Sequence, residues 1–377
     1  MSRTKAQLFW IRCKRYIPLC LPLSLAAALI TFVLHMTAIS NASFADAVNY
    51  YWGGALRFLA AKITGLVPFS IAEGLLLFSP VLVIVLFSLS LILSKRSIRT
   101  GVRYICTLLS IIFLLYTLFV PMLGIGSYAS PLSDRLGLTE SKVTALQLAE
   151  TMKWVIDEVN QLDDEVDFRF GGASVMPFQS FDEMCEDLMI GYDRLREEYP
   201  LFFDFSSVVK PVILSEPMSY THITGIYTFF TGEANLNVNF PDYTLPFTAA
   251  HELAHQRGIA REKEANFVAF LVCINSDNPY TRYSGYLNMV EYLSGALYSA
   301  DKALWEKIYR ELDNCIVYEL YAYDEFYEKY RENTAATISN AVNDTYLKVQ
   351  GQTAGTKSYG LVVDLAVAYY EKNFPRT

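Results

Sequence analysis

His251-Glu252-Leu253-Ala254-His255 places two histidines four residues apart, with a glutamate directly after the first. Residues four apart share one face of a helix, so both imidazoles can bind one metal ion. Zinc hydrolases use this spacing, and their glutamate activates the attacking water. The chain has only four histidines, which favours a metal site over two unrelated surface histidines. The stretch therefore predicts His251 and His255 as zinc ligands and Glu252 as the catalytic base.

A catalytic zinc ion needs a third protein ligand and keeps one position for water. The helix that carries the motif is predicted to begin at Pro246 and to end at Gly258, which suits a left-handed turn. In the helix that follows, Glu262 and Asn266 share a face, whereas Glu264 points nearly the opposite way. Glu262 is the predicted third ligand, and Glu264 replaces it if the turn is longer. Asn266 is placed to hydrogen-bond a ligand.

A second interpretation treats Glu262 as a solvated charge, because it belongs to a run of charged residues. That run also bears on the location of the motif. Charged side chains are costly inside a bilayer, and no long apolar run contains the motif. The neighbourhood of the motif therefore argues against an intramembrane protease.

The segments before the motif predict strands at residues 223–230 and 233–239, and the second alternates apolar and amide side chains. Zinc peptidases pair extended substrate with an edge strand beside the active helix. Asn235, Asn237 and Asn239 are expected either to line such an edge or to lie on an ordinary exposed strand.

A donor that stabilises a developing oxyanion is also expected near the metal. His222 is one candidate, with core or surface histidine as the alternative. The others are tyrosines of the helical stretch 286–332, most of which are expected in the core: Tyr292, Tyr298, Tyr309, Tyr318 and Tyr321.

These residues resemble known zinc peptidases. The HExxH motif followed by Glu262 and Asn266 resembles the gluzincins, in which Glu-xxx-Asp or Glu-xxx-Asn on a second helix completes the site. A longer pattern resembles the bacterial membrane-protein family called domain of unknown function 3810: Thr231-Gly232-Glu233-Ala234-Asn235, Pro246-Phe247-Thr248, residues 251–258 and residues 262–267. That family also begins with a few transmembrane helices, so the resemblance covers most of the chain. It implies a zinc peptidase chemistry without naming a substrate.

Two positions depart from the pattern of zinc peptidases. Arg257 stands where the motif helix usually has an apolar residue. Asn266 stands where aspartate is common, which puts in doubt the orientation of His251 or His255 and hence the metal affinity. Neither departure removes a ligand.

The first 125 residues predict a membrane module with spans at about 17–39, 74–94 and 104–125, because each run has about twenty apolar residues. Between the first two spans, residues 55–67 predict an interfacial helix or a helix packed under the following domain. Basic residues precede the first span and separate the second from the third: Arg3, Lys5, Arg12, Lys14, Arg15, Lys95, Arg96, Arg99 and Arg103. The positive-inside rule then places the N-terminus in the cytoplasm and the chain after residue 125 outside.

Residues 126–377 predict one zincin-like α+β domain, mainly helical, with a small sheet before the motif. Thirty-seven acidic and twenty basic residues give it a charge of about −17, which argues against nucleic acid as a partner. Cys185, Cys273 and Cys315 form no CxxC pair, so neither a disulfide framework nor a thiolate zinc site is indicated. One disulfide is possible, but buried free thiols are favoured.

The sequence thus predicts a multi-pass, membrane-anchored zinc metallopeptidase that hydrolyses peptide bonds outside the cytoplasm. Its predicted cofactor is Zn²⁺, and its predicted partners are the lipid bilayer and a polypeptide substrate. Two alternatives stay open. One is a zinc amidase that acts on cell-wall peptides, and the other is a catalytically silent binding or sensory protein that keeps the zincin fold.

Overall fold

The structure is a computed structural model that describes residues 16–170, 172–200, 202–331, 333–349, 352 and 361–375. The basic residues predicted to mark the cytoplasmic N-terminus lie outside the described residues. Most of the described chain is helical, with one small mixed sheet. The structure therefore agrees with the coarse α+β prediction.

The α-helices are numbered in chain order. They are α1 Cys20–Ser40, α2 Ala42–Ala47, α3 Gly54–Thr64, α4 Ile71–Arg96, α5 Ile98–Met122, α6 Leu132–Leu136, α7 Ala145–Asn160, α8 Phe181–Glu198, α9 Ser215–Ser219, α10 Thr244–Gln256, α11 Glu262–Ile274, α12 Pro279–Ala300, α13 Lys302–Tyr309, α14 Asn314–Glu328, α15 Thr334–Val349 and α16 Val362–Asn373. A π-helical turn, Val48–Gly53, joins α2 to α3, and 3-10 turns lie at Gly124–Tyr128 and Asp163–Glu165.

Three helices have the length and composition of membrane spans: α1, α4 and α5. They coincide with the three predicted apolar runs to within about six residues at each end. No residue in the 18-residue apolar stretch of α4 is buried within the protein. Such a continuous apolar surface needs a nonaqueous environment, and a lipid bilayer provides one.

The segment between α1 and α4 packs against the later domain. A Cβ added to Gly54 would lie 2.6 Å from Phe203, and Lys62 donates a hydrogen bond to the Ser206 carbonyl. Arg57, in the middle of α3, is fully buried. The segment therefore packs against the domain, as one of its two predicted arrangements requires.

The small sheet has the order β1-β3-β2, with β1 Lys210–Pro211, β2 Gly225–Thr228 and β3 Glu233–Leu236. β1 is parallel to β3, and β2 is antiparallel to it with Gly225 opposite Leu236. β3 is therefore the central strand, and all four of its residues are buried. β2 is an edge strand of the sheet, and its Gly225 lies against Glu252 of α10.

The expectation that Asn235, Asn237 and Asn239 line a substrate-binding edge is wrong. Asn235 is buried in the central strand and donates to the Ile226 carbonyl, and Asn237 is buried and donates to Ile223. The amide of Asn239 donates to hydroxyls of the protein itself. Buried amides that donate to groups of the protein produce the same alternation as a solvated strand face, so the pattern did not report exposure.

A buried ion pair joins this sheet to the beginning of α4. Lys210 Nζ lies 3.0 Å from Glu233 Oε1, and both side chains are buried. The Glu233 carboxylate accepts hydrogen bonds from the backbone N–H groups of Ile71 and Ala72, where a helix dipole favours negative charge. Lys210 Nζ also donates to backbone carbonyls just before α4, those of Thr64, Val67 and Phe69.

Several helix boundaries differ from those read from the sequence. Helix α7 begins at Ala145, because Thr144 and Gln147 form a capping box there. The helix expected to start at Pro246 starts at Thr244. The stretch 286–332 is divided among α12, α13 and α14, and α15 was not predicted.

Candidate metal centre

Helix α10 carries the two histidines and ends in a glycine turn. Gly258 has a φ of +94°, the left-handed conformation that glycine adopts most readily. The N–H groups of Gly258 and Ile259 donate to the carbonyls of His255 and Ala254 at 2.9 and 3.0 Å. This pair of bonds is a Schellman ending. It turns the chain so that α11 begins at Glu262, next to the histidines.

Three potential ligand atoms converge between α10 and α11. Nε2 of His251 and Nε2 of His255 lie 3.3 and 3.4 Å from Oε2 of Glu262, and all three residues are buried. Ligands bound at about 2.0–2.1 Å to a tetrahedral ion lie about 3.3 Å apart. Glu262 Oε2 is also buried without a hydrogen-bond partner among the described residues. The arrangement therefore fits a small divalent cation.

A backbone carbonyl orients His255. Nδ1 of His255 donates to the Ile259 carbonyl at 2.7 Å, which directs Nε2 toward Glu262. Burial opposes a charge on the ring, but the Glu262 carboxylate outweighs it and raises the pKa of His255 to about 9. Burial likewise opposes ionisation of Glu262, yet the two histidines hold its pKa well below the usual range.

Glu252 lies against β2 in a space that a glycine leaves open. A Cβ on Gly225 would lie 2.7 Å from Glu252 Oε1, and the backbone N–H of Tyr227 donates to the carboxylate. Burial raises the pKa of Glu252, an effect that His251 and His255 partly offset. Its Oε2 is buried and has no hydrogen-bond partner in the described part of the chain. Glu252 is therefore a desolvated carboxylate with one oxygen that no described residue engages.

The alternative third ligand is engaged elsewhere. Glu264 accepts a hydrogen bond from the Leu132 N–H at the start of α6 and lies 2.8 Å from Arg261 Nη1. Its carboxylate therefore stabilises the first turn of α11, on the side away from the histidines. Asn266 is buried and lines the same cavity as His251.

Arg257, the unusual cation of the motif helix, anchors the helix on the side away from the metal centre. Its guanidinium donates to the Phe205 carbonyl at 2.8 Å and to the Leu253 carbonyl at 3.1 Å. The guanidinium carbon also lies 4.1 Å from the centre of the Tyr192 ring, a cation–π distance. The arginine therefore replaces apolar packing without approaching the ligands.

A cavity of about 390 Å³ lies beside His251. Among the tyrosines proposed from the sequence, Tyr292 lines it, and so does Tyr323, which the sequence did not single out. The other lining residues are Thr224, Phe240, Thr244, Phe247, Thr248, Asn266, Asn288 and Glu291. Cavity and ligand group thus form one site.

His222 is not placed for the oxyanion role considered for it. Its Nδ1 contacts the Tyr327 hydroxyl at 2.8 Å and its Nε2 contacts the Tyr330 carbonyl at 2.7 Å. Both ring nitrogens therefore hold the loop before β2 against the end of α14. A left-handed backbone, with φ of +60°, accompanies this packing.

One set of contacts at the site had no signal in the sequence. Asn49 donates to the Gly258 carbonyl at 2.9 Å, from 209 positions away in the chain. Arg57 donates to Asn49 Oδ1 at 3.1 Å and to the Pro121 carbonyl at 3.0 Å. Burial lowers the pKa of Arg57 to about 10. The end of α5 is thereby joined, through two side chains, to the turn that orients His255.

Gly225, by contrast, left a signal in the sequence: a glycine within a predicted strand often marks a position where another group approaches the backbone closely.

Gly258→Ala tests this turn. The added Cβ would lie 2.5 Å from Arg57 Nη2 in a backbone conformation that disfavours side chains, so we expect a loss of about 2 kcal/mol or more in unfolding free energy. Zinc affinity should fall about tenfold, because the Ile259 carbonyl would shift away from His255. Thermal unfolding and competition with a chelator measure the two effects.

Gly295→Ala is the matched control, since Gly295 lies exposed in α12 with nothing within 4 Å of an added Cβ. It should be neutral or stabilise by up to about 1 kcal/mol. Equal zinc affinity in the Gly258→Ala variant and the wild type would show that the turn does not orient the ligand.

The fold and the site define a helical protein with three candidate membrane spans and a buried group of two histidines and one glutamate. The chain belongs to the family described as "Protein of unknown function (DUF3810)", whose profile matches residues 54–367. The match includes two of the candidate spans and the three residues of the candidate metal centre. No curated protein and no solved structure was found to match the chain.

Proposed function

We propose that this protein is a membrane-anchored, zinc-dependent peptidase of the HExxH class, related in its ligand pattern to the gluzincins. One observation carries the proposal: Glu262 Oε2 lies 3.3 and 3.4 Å from the two histidine nitrogens, all three ligand atoms lie within 4.8 Å of one another, and a desolvated carboxylate lies on the histidine helix. His251, His255 and Glu262 would hold the ion. Two imidazoles and one carboxylate make zinc the default metal.

A bound zinc ion would supply a water of near-neutral pKa and a Lewis acid for a peptide carbonyl. The protein supplies the rest of the chemistry. Glu252 Oε2 accepts the proton of the attacking water and delivers it to the nitrogen of the leaving amine. Gly225 leaves the space for this carboxylate, and the Tyr227 N–H holds it in place. Burial of Glu252 keeps its proton affinity suited to that exchange.

The walls of the cavity favour a peptide over a cell-wall amide as the substrate. Four aromatic side chains line the space next to His251, namely Phe240, Phe247, Tyr292 and Tyr323. Aromatic walls bind the side chains of peptides through apolar burial, whereas a polar groove would suit a cell-wall substrate. The cavity therefore supports peptide hydrolysis rather than the amidase alternative.

The proposed location is the cell membrane, with the metal centre outside the cytoplasm. Lys95, Arg96, Arg99 and Arg103 lie where α4 turns into α5, and cytoplasmic loops are rich in such cations. With that turn inside, the end of α5 and the domain that follows are outside. Substrates would then be secreted or membrane-bound polypeptides near the bilayer.

Metal analysis of the full chain in detergent tests the proposal. We expect about one zinc per chain in the wild type and none in His255→Ala, because loss of one of three ligands abolishes tight binding. His222→Asn is the matched control: it removes a histidine outside the site, and asparagine tolerates a positive φ. Folded wild type that binds no divalent metal would refute the proposal, as would zinc retained by His255→Ala.

A further inference from the structure

The cavity beside His251 contains one acidic side chain that the proposed chemistry does not use. Glu291, on α12, lines this space together with Asn288 and four aromatic rings. Its Oε1 accepts a hydrogen bond from the Tyr243 hydroxyl at 2.6 Å. Among the described residues, no basic side chain forms an ion pair with it. The carboxylate is thus part of a cavity wall rather than of an internal salt bridge.

The position of Glu291 is costly for a charge. Burial, with a smaller contribution from Asp324, raises the pKa of Glu291 to about 7, although the hydrogen bond from Tyr243 opposes the rise. Glu291 is half-buried in the cavity wall, and a carboxylate partly removed from water without a cation destabilises a protein unless something compensates for it. A hydrophobic residue would fill this wall at lower cost, so the acid indicates a ligand that carries positive charge.

The surrounding rings point to the same ligand chemistry. Aromatic faces attract cations through their quadrupoles, most strongly where water is excluded. A pocket with aromatic walls and one carboxylate therefore selects an ammonium or a guanidinium group over a neutral or acidic one. Its volume of about 390 Å³ lies within the usual range of small-ligand sites. The net negative charge of the domain would also attract cationic substrates.

We infer that this cavity is a subsite for an organic cation of the polypeptide substrate, with Glu291 as its specificity-determining residue. The cation is either a lysine or arginine side chain next to the scissile bond or a free amino terminus. The inference rests on the proposed function, because His251 forms part of the same cavity. It limits the substrates to peptides that present positive charge at the metal centre.

Binding of short peptides to the full-length Glu252→Gln protein in detergent tests the inference without turnover. Three probes separate the two sources of charge. Acetyl-Ala-Arg-Ala-amide carries only a guanidinium, acetyl-Ala-citrulline-Ala-amide is its neutral analogue, and norleucyl-Ala-Ala-amide carries only an α-ammonium. We expect one of the charged peptides to bind about tenfold or more tightly than the neutral peptide.

Glu291→Gln, made in the same background, should remove that preference. The amide keeps the shape of the carboxylate and still accepts the Tyr243 hydrogen bond, so the fold should be retained. Asp324→Asn is the matched control: it removes a nearby exposed carboxylate that does not line the cavity, and it should keep the preference. Thermal unfolding of each variant verifies folding.

Equal binding of the charged and neutral peptides would overturn the inference, as would a preference that survives Glu291→Gln. If that variant does not fold, the comparison of the two charged peptides with the neutral peptide still decides, because it uses Glu291 intact. The proposed function fails by a different measurement, namely absence of zinc or hydrolysis in the wild type. The test of cation binding is therefore independent of the test of catalysis.

Discussion

Glu252→Gln is expected to abolish peptide hydrolysis and to leave zinc in place. The amide has the shape of the carboxylate and fits the space beside Gly225, but it accepts no proton. General acid–base catalysis contributes about 10²–10⁴-fold to rate, so kcat/KM should fall by at least that range. The ligands His251, His255 and Glu262 are untouched. Zinc content and hydrolysis of a quenched-fluorescent peptide library by the full chain measure both outcomes.

Glu140→Gln is a suitable control for this prediction. Glu140 lies 2.8 Å from Lys263 on the ligand-bearing helix but has no contact with the metal ligands in the described structure. Its loss should change neither zinc content nor rate. Full turnover by Glu252→Gln would refute the mechanism. Zinc binding by a wild type that hydrolyses nothing in the library, with no change in Glu252→Gln, would favour the silent binding protein.

Glu233→Gln is expected to destabilise the protein by about 3–5 kcal/mol, because it leaves the buried ammonium of Lys210 without its counter-charge. The same substitution weakens the acceptor for the Ile71 and Ala72 N–H groups at the start of α4. The sheet should therefore lose its contact with the start of α4, the second candidate span. The midpoint of chemical or thermal unfolding in detergent measures the loss.

A double-mutant cycle distinguishes the ion pair from general damage. Lys210→Met combined with Glu233→Gln should cost less than the sum of the single variants by about 0.5–3 kcal/mol, because both charges are then absent. Lys329→Met, which breaks an exposed pair with Glu216, should leave the unfolding midpoint unchanged. Strict additivity of the buried pair would show that the two charges do not stabilise each other.

The elements that were predicted well depend on short-range patterns. Apolar runs of about twenty residues identified α1, α4 and α5, since the length needed to cross a bilayer is visible in the run itself. Gly258 indicated the end of α10, because a left-handed turn restricts the residue type locally. Glu262 was preferred over Glu264 by helix periodicity alone, and the structure places Glu262 beside the histidines.

The elements that were missed or wrong depend on burial. Asn235 and Asn237 alternate with apolar residues as a solvated strand would, yet both are buried and donate their side-chain N–H groups to carbonyls of the protein. His222 was considered for catalysis because histidine often has that role, but its neighbours come from α14, about a hundred residues later. The hydrogen-bond partners of these side chains cannot be recognised from the neighbouring residues in the sequence.

By itself, the sequence determined which groups are available: two histidines and a glutamate at the spacing that predicts a metal site, a second glutamate predicted to be a base, and three apolar helices. Tertiary structure decided how that chemistry is surrounded. It set Gly225 against Glu252, linked Arg57 and Asn49 to the turn at Gly258, and brought Glu291 into the cavity beside His251. The physical reason is the distance along the chain over which each effect acts. Helix periodicity acts over four residues, whereas desolvation and hydrogen-bond satisfaction depend on groups that folding brings together from distant parts of the chain.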